Sequence, residues 1–326
     1  MSEPLQELAE LASALGGAPW VQGPGGNASV KDGDQLWVKA SGVRLAELAL
    51  PHGHVRVPLA TVRAALAGDE AADRALFAHT PRPSLETYFH ALGARIVAHT
   101  HALGALLYAC SSAPFVARPE SNVFAVRYLR PGRGVARAIE EQRGDAQLCV
   151  LRSHGIIAYA DSTREAIELS QRFDEQVRQQ FCETGPLAPF ELDAYFGGAQ
   201  QALEHGVYRA LPERCVSAPR YLFPDACVCA SVVLVPSLAD PHGSAVRALQ
   251  TLGRACVLVD PSGQRIAVAH GETQLQQTCE LTAAHDWLED ALCARGQASY
   301  LPPEEASGII GLPSEQYRIQ LAALRG

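Results

Sequence analysis

The apolar run Ile96-Val97-Ala98 ends in His99-Thr100-His101, and this limits what the chain around it can fold into. A short run rich in β-branched residues reads as a buried strand. Successive side chains on a strand alternate, so His99 and His101 fall on one face and can point into one site. Glu86 stands shortly before this run, and a third histidine, His154, lies far downstream before Gly155. Three neutral imidazoles with an open fourth position form a ligand set that zinc uses in catalysis. A lone His-x-His is weak evidence, so the reading rests on the residues that accompany it.

At 326 residues the chain has room for two domains, or for one domain with a substantial extension. Its 48% hydrophobic and 19% charged residues describe a well-buried globular protein. The net charge of −8 is spread along the chain, which excludes a general polyanion binder, so no nucleic-acid partner is expected. Arg118, Arg127, Arg130, Arg133 and Arg137 form the richest basic stretch, but Glu120, Glu140 and Glu141 sit close by. It reads as a solvated face, with an anionic substrate tail as the alternative.

The opening MSEPLQELAELASALGG is acidic and amphipathic, with Leu5, Leu8, Leu11 and Leu15 at helical spacing, and does not read as a signal peptide. No apolar run approaches bilayer length, so a cytoplasmic protein without a membrane partner is expected. Nine irregularly spaced cysteines argue against a secreted disulfide scaffold. Cys227-x-Cys229, in the run VCASVVLV, reads as part of a buried strand and not as a metal site.

The opening helix is expected to stop at Gly16-Gly17, before the glycine-rich loop Gly23 to Asn27 and a strand at Leu36 to Lys39. Helices follow around Thr61 to Leu66 and after Asp69. Ser84 sits where an N-cap belongs for a helix from Leu85 to Leu92. After the histidine strand come a helix from about Ala102 to Cys110 and a strand–turn–strand across Leu148 to Tyr159. Ser162-x-x-Glu165 is a capping box that opens a helix to about Phe181. A composition change near Phe196 to Gly198 divides the chain into 1–197 and 198–326. In the second part Tyr221 to Phe223 and Val228 to Val235 read as strands. Cys256 to Val268 reads as a hairpin, and Thr273 to Ala294 as a helix.

Four blocks together resemble the class II aldolase/adducin family: GGNAS at 25–29, KASG at 39–42, PSLETYFHALGARIVAHTH at 83–101 and SHG at 153–155. With the intervening pattern the resemblance covers about residues 5 to 185. The remainder is similar to the extension behind the aldolase-like domain in rhamnulose-phosphate aldolase/alcohol dehydrogenase fusion proteins, with no dehydrogenase pattern in the sequence. The resemblance implies a three-layer α/β/α domain around a mainly antiparallel sheet, followed by a smaller α/β domain. It also implies a homo-oligomer, commonly a tetramer in this family.

By the same resemblance His99, His101 and His154 match the zinc ligands and Glu86 the catalytic base. Asn27, Ser41, Gly42 and Ser84 match positions that hold a substrate phosphate. The implied activity is zinc-dependent carbon–carbon bond cleavage in a small hydroxycarbonyl or sugar-phosphate compound, through an enediolate stabilised by the metal. Glu86 is expected to have a pKa raised by desolvation. The same site could serve epimerisation, dehydration or decarboxylation, and adducin-like members imply a non-catalytic binding role as a further alternative. Leu85 departs from the pattern of sugar-phosphate members, which carry a second hydroxyl residue there; leucine donates no hydrogen bond. Lys39 could compensate through its charge or face solvent. Tyr128 is a candidate for the tyrosine that family aldolases borrow from a neighbouring subunit, and equally an ordinary strand tyrosine. His90 shares the Glu86 helix face and reads as a packed histidine bridging helix and loop, whereas His52, His54 and His79 show no partner.

Overall fold

The computed structural model describes residues 2–112, 122–313 and 315–319. Contacts divide the chain into two units, Met1–Pro186 and Leu187–Gly326. The division precedes the composition change at Phe196 to Gly198, because the segment after Pro186 packs within the second unit. The Trp287 indole N–H there donates to the Ala188 carbonyl at 2.8 Å.

The first unit runs α1 (Glu3–Leu15), β1 (Asn27–Asp32), β2 (Gln35–Lys39), β3 (His54–Pro58), α2 (Leu59–Ala67), α3 (Glu70–Phe77), α4 (Thr87–His90) and β4 (Ile96–Thr100). It continues with α5 (Leu103–Ala109), β5 (Val123–Val126), α6 (Arg133–Gln142), β6 (Leu148–Leu151), β7 (Gly155–Ala160) and α7 (Thr163–Cys182). The strands form one sheet in the order β3-β2-β1-β4-β7-β6-β5. Every neighbouring pair is antiparallel except β5 and β6.

Alternation along β4 sorts its side chains between two cores. Ile96 and Ala98 join Leu8, Leu11 and Leu15 of α1 and Ala166 of α7. Val97 faces the other way, into a cluster with Val62 of α2, Tyr88 and Phe89 of α4, and Val135 and Ile139 of α6. Helices thus cover both faces, giving the three-layer α/β/α architecture expected from the sequence.

Local chemistry explains most boundaries. The Ser162 hydroxyl caps α7 by accepting from the Glu165 amide at 3.2 Å, while the Glu165 carboxylate accepts from the amide of Asp161. Asp69 caps α3 through the Ala71 and Ala72 amides. Asp174, on α7, reaches across to accept the Ala105 amide of the first turn of α5 at 3.0 Å. That donor has no partner within its own helix.

Two expectations for this unit need correction, the helix after Ser84 and the partnerless His54. The helix expected over Leu85 to Leu92 is the single turn α4, because the Ser84 hydroxyl accepts from the Glu86 amide at 3.3 Å and forms a turn ahead of it. The basic stretch is a solvated face as expected: Arg127, Arg130 and Arg137 are exposed and Arg133 is half-buried. Arg133 of α6 donates to Asp73 at 2.6 Å, and Arg137 to the Leu66 carbonyl at 3.3 Å, so both clamp α6 to neighbouring helices. Arg118 lies outside the described residues. His54 opens β3, packs against Trp37 in a tilted arrangement with ring centroids 5.4 Å apart, and meets the Leu48 carbonyl at 3.0 Å.

The second unit contains α8 (Asp193–Phe196), β8 (Gln200–Leu203), β9 (Gly206–Leu211), α9 (Pro224–Cys229), β10 (Val232–Leu234) and α10 (Pro241–Leu252). After these come β11 (Cys256–Val259), β12 (Arg265–Ala269), α11 (Glu272–Cys293) and α12 (Pro303–Ile310). Its sheet has the order β10-β11-β12-β9-β8, with only β10 and β11 parallel. The β11–β12 hairpin turns where the Asp260 carboxylate accepts the Ser262 and Gln264 amides.

The strands expected at Tyr221 to Phe223 and Val228 to Val235 are not both present. Pro224 has a φ suited to a first helical turn, so Pro224–Cys229 is helical and only Val232–Leu234 is extended. Cys227 and Cys229 therefore lie on a helix, and burial pushes the Cys229 thiol up to about 12. All nine cysteines are free thiols. Among the described residues no helix is long and apolar enough to cross a membrane.

Candidate metal centre

β4 lies between β1 and β7, so His99 is held by ladders on both sides, opposite Asn27 on one and Ile157 on the other. Its side chain is fully buried, and Nδ1 lies 2.8 Å from the Ile156 carbonyl. A carbonyl can only accept, so Nδ1 carries the proton and Nε2 presents its lone pair. That Nε2 lies 3.0 Å from Nε2 of His101.

His154 arrives from the turn between β6 and β7. Ser153 before it has φ +52, a conformation uncommon for a residue with a side chain. Gly155 after it has φ +153, and a Cβ there would meet the Thr100 carbonyl oxygen at 2.3 Å. Together these fold the chain sharply enough to bring the His154 ring 4.9 Å from the His99 ring, centroid to centroid. Gly26 does the equivalent on the β1 side: its φ is +68, and a Cβ would stand 2.5 Å from Val21 and 3.0 Å from the His99 carbonyl oxygen.

One nitrogen from each of His99, His101 and His154 lies within 4.8 Å of the other two, and all three residues are buried. Nitrogens at about 2.1 Å from a tetrahedral ion are about 3.4 Å apart. The donor set therefore fits a divalent transition metal: three imidazoles converge, at least one is fixed as a lone-pair donor, and a carboxylate stands alongside.

That carboxylate is Glu86, whose Oε1 lies 3.4 Å from Nε2 of His99 and 3.2 Å from Nε2 of His154. Burial pushes its pKa up, as expected from the sequence. The two imidazoles outweigh that effect, however, and hold it well below the usual carboxylate range. The expectation of a raised value is corrected accordingly.

The other expected site residues assemble around neighbouring loops. Asn27 is fully buried, and neither its amide nitrogen nor its amide oxygen has a hydrogen-bond partner among the described residues. A buried amide left without partners is costly unless something else occupies its donor and acceptor. Segment 82–84 runs beside 39–41: the Ser41 amide donates to Arg82 at 2.8 Å and the Ser84 amide to Lys39 at 3.2 Å. Gly42, at φ +73, turns the chain just after. Both backbone donors of Ser41 and Ser84 are spent on this pairing, so their hydroxyls are what they offer a ligand.

Lys39 is buried, and its ammonium donates to the Pro24 carbonyl at 3.0 Å and the Val43 carbonyl at 2.7 Å. It ties the glycine-rich loop to the 40–43 turn and does not face solvent. Leu85 packs against the apolar cluster beneath α4 and α6. His90 is fully buried, stacks on Phe89, and places Nδ1 2.8 Å from the Ser29 hydroxyl, so it bridges helix and strand. Tyr128 is half-buried beyond the end of β5. The strained Ser153 turn and the Lys39 tie were missed by sequence reading, although the glycine after His154 was a visible trace of the first.

The model for the class II aldolase and adducin N-terminal domain matches residues 6–181, more than half of the 326-residue chain. Among solved structures, an N-terminal class II aldolase domain from Thermoplasma acidophilum is 26% identical, with a TM-score of 0.46 over 55% of this chain and 92% of that one. YgbL from Klebsiella pneumoniae, described as a putative aldolase/epimerase/decarboxylase, is 22% identical, with a TM-score of 0.45 over 56% and 90%. L-fuculose-1-phosphate aldolase from Thermus thermophilus is 20% identical, with a TM-score of 0.42 over 58% and 100%. A comparison with curated proteins finds no match. On the family match, this chain belongs to the class II aldolase/adducin family.

Proposed function

We propose that this chain is a zinc-dependent carbon–carbon lyase acting on a small hydroxycarbonyl or sugar-phosphate compound. The observation that carries this reading is the convergence of His99, His101 and His154 beside the Glu86 carboxylate. A scaffold without chemistry has no need to bury three imidazoles and an acid together. Zinc bound to the three imidazoles would supply Lewis-acid stabilisation of negative charge on substrate oxygens.

The chain's own residues supply the rest. The Glu86 carboxylate, 3.4 Å from Nε2 of His99 and 3.2 Å from Nε2 of His154, stands beside the candidate metal position, where it can accept a proton from the carbon next to the substrate carbonyl. The Asn27 amide offers one face of the substrate both a donor and an acceptor. The Ser41 and Ser84 hydroxyls and the Gly42 amide anchor the substrate tail. His99, fixed by its Ile156 contact, sets the position of the reacting atoms relative to Glu86. In keeping with the family, the reading includes a homo-oligomer, taken as a tetramer, and a cytoplasmic setting.

Metal analysis of the purified chain, coupled to a screen of hydroxycarbonyl compounds with and without a phosphate, tests this reading. About one zinc per chain with retro-aldol cleavage of a screened compound is the expected result. Stoichiometric zinc with only isomerised, dehydrated or decarboxylated products would move the chain to a sister reaction. Absence of both metal and turnover would leave a binding role.

A further inference from the structure

The second unit holds a partly open cavity of about 90 Å3 between the 214–221 segment, α9, β10 and α11. Its walls carry more ionisable groups than packing alone calls for, and most are already committed. Arg265, whose side chain is 3% exposed, donates to Asp286 at 2.7 Å and to the Pro212 carbonyl. Arg214 donates to Glu289 at 2.8 Å and to Asp290 at 2.7 Å. The Tyr300 hydroxyl donates to Glu289 at 2.7 Å.

Two nitrogen donors at this cavity donate no hydrogen bond among the described residues. Arg220 lies over the Tyr300 ring, 4.3 Å from its centroid, and its nearest acid is Glu289 at 3.7 Å, beyond hydrogen-bond reach. Its guanidinium fork makes no hydrogen bond among the described residues, although a fork of this shape suits a carboxylate held by two parallel bonds. His285, from α11, is the second. Its Nε2 accepts the Leu222 amide at 3.3 Å, so its proton sits on Nδ1, and among the described residues nothing accepts from it. Burial lowers the His285 pKa, in keeping with a neutral ring.

The rest of the wall mixes the hydroxyls of Ser217, Tyr221 and Thr282 with small apolar side chains. Ala226 and Ala230 come from α9 and the turn after it, and Val232 from β10. The space is enough for a chain of a few carbons.

We propose that this cavity is a binding site for a small aliphatic monocarboxylate of about four carbons. Its carboxylate lies on the Arg220 fork, with one oxygen able to accept from the His285 Nδ1–H, and its chain lies against Ala230 and Val232. The site belongs to the second unit alone and does not depend on the activity proposed for the first.

Ligand-observed saturation-transfer NMR on the full-length, zinc-loaded chain tests this, with butanoate as the probe and butanamide as its uncharged counterpart. Butanoate is expected to bind, and butanamide at least tenfold more weakly. Arg220→Ala, at a side chain 55% exposed, is expected to weaken butanoate at least tenfold while leaving the melting midpoint unchanged. Ala230→Leu fills the space and is expected to abolish binding in protein that still melts cooperatively. Butanoate binding that survives either substitution belongs elsewhere on the chain and overturns the proposal. So does a complete lack of binding, or inorganic phosphate binding more tightly than butanoate.

Discussion

A Cβ on Gly155 would stand 3.0 Å from Cδ2 of His101. The glycine that follows one candidate ligand therefore also leaves room for the ring of another. Replacing Gly155 with alanine would strain a backbone at φ +153 and press on both His101 and the Thr100 carbonyl. A loss of about 1–3 kcal/mol is expected from the backbone alone. Because the His101 ring must shift, zinc occupancy measured by elemental analysis should fall well below that of the wild type. Full occupancy in a stably folded Gly155→Ala protein would contradict this account of the glycine.

Glu86→Gln keeps the shape of the side chain and removes its basicity. If Glu86 moves the proton, turnover of any substrate found should drop by about 10²–10⁴-fold with zinc content unchanged. A parallel loss of zinc would instead assign the carboxylate to metal retention.

His90 is buried, and desolvation lowers its pKa well below the usual histidine value of 6.5. The folded chain therefore keeps the ring neutral at pH values where the unfolded chain binds a proton. Stability should fall as pH drops below about 6.5, at up to about 1.4 kcal/mol per pH unit from this group, until the folded pKa is reached. In metal-free protein, His90→Gln should reduce the slope of unfolding free energy between pH 6.5 and 5. It should also cost stability at pH 7 through the lost Ser29 contact. Equal slopes in urea titrations of the two proteins would count against it.

Asp174 holds the first turn of α5 through the Ala105 amide and also pairs with Arg178 at 2.7 Å. Asp174→Ala leaves a buried N–H without its acceptor, which should cost about 1–3 kcal/mol in chemical denaturation. Arg178→Ala keeps the Ala105 cap while removing the partly buried ion pair, so it should cost less if the cap is the larger contribution. The reverse order would show that the ion pair dominates.

Much of the centre was legible because its signals are local. His-x-His on a strand, a glycine after the third histidine and a serine two residues ahead of Glu86 all survive as short patterns. The Cys256 to Val268 hairpin was legible for the same reason, since its turn chemistry lies within four residues. Elsewhere the information was not local. The Val228 to Val235 run is apolar whether helical or extended, and Pro224 four residues earlier decided the matter. The Arg133 pairing was not visible in sequence because its partner, Asp73, is some 60 residues away. Glu86 was assigned the wrong direction of pKa shift because burial is inferable from an apolar neighbourhood, whereas two imidazoles within 3.4 Å are a product of folding.

β4 is paired on both sides, and its His99 ring is pinned by a backbone carbonyl before any ion arrives. Small zinc modules collapse without their metal because the coordination sphere is their core. Here the sheet and its two apolar layers do that work, so a chelator should empty the centre without melting the domain. Loading and unloading would then be a local event at the 153–155 turn, repeatable over many cycles on one folded molecule.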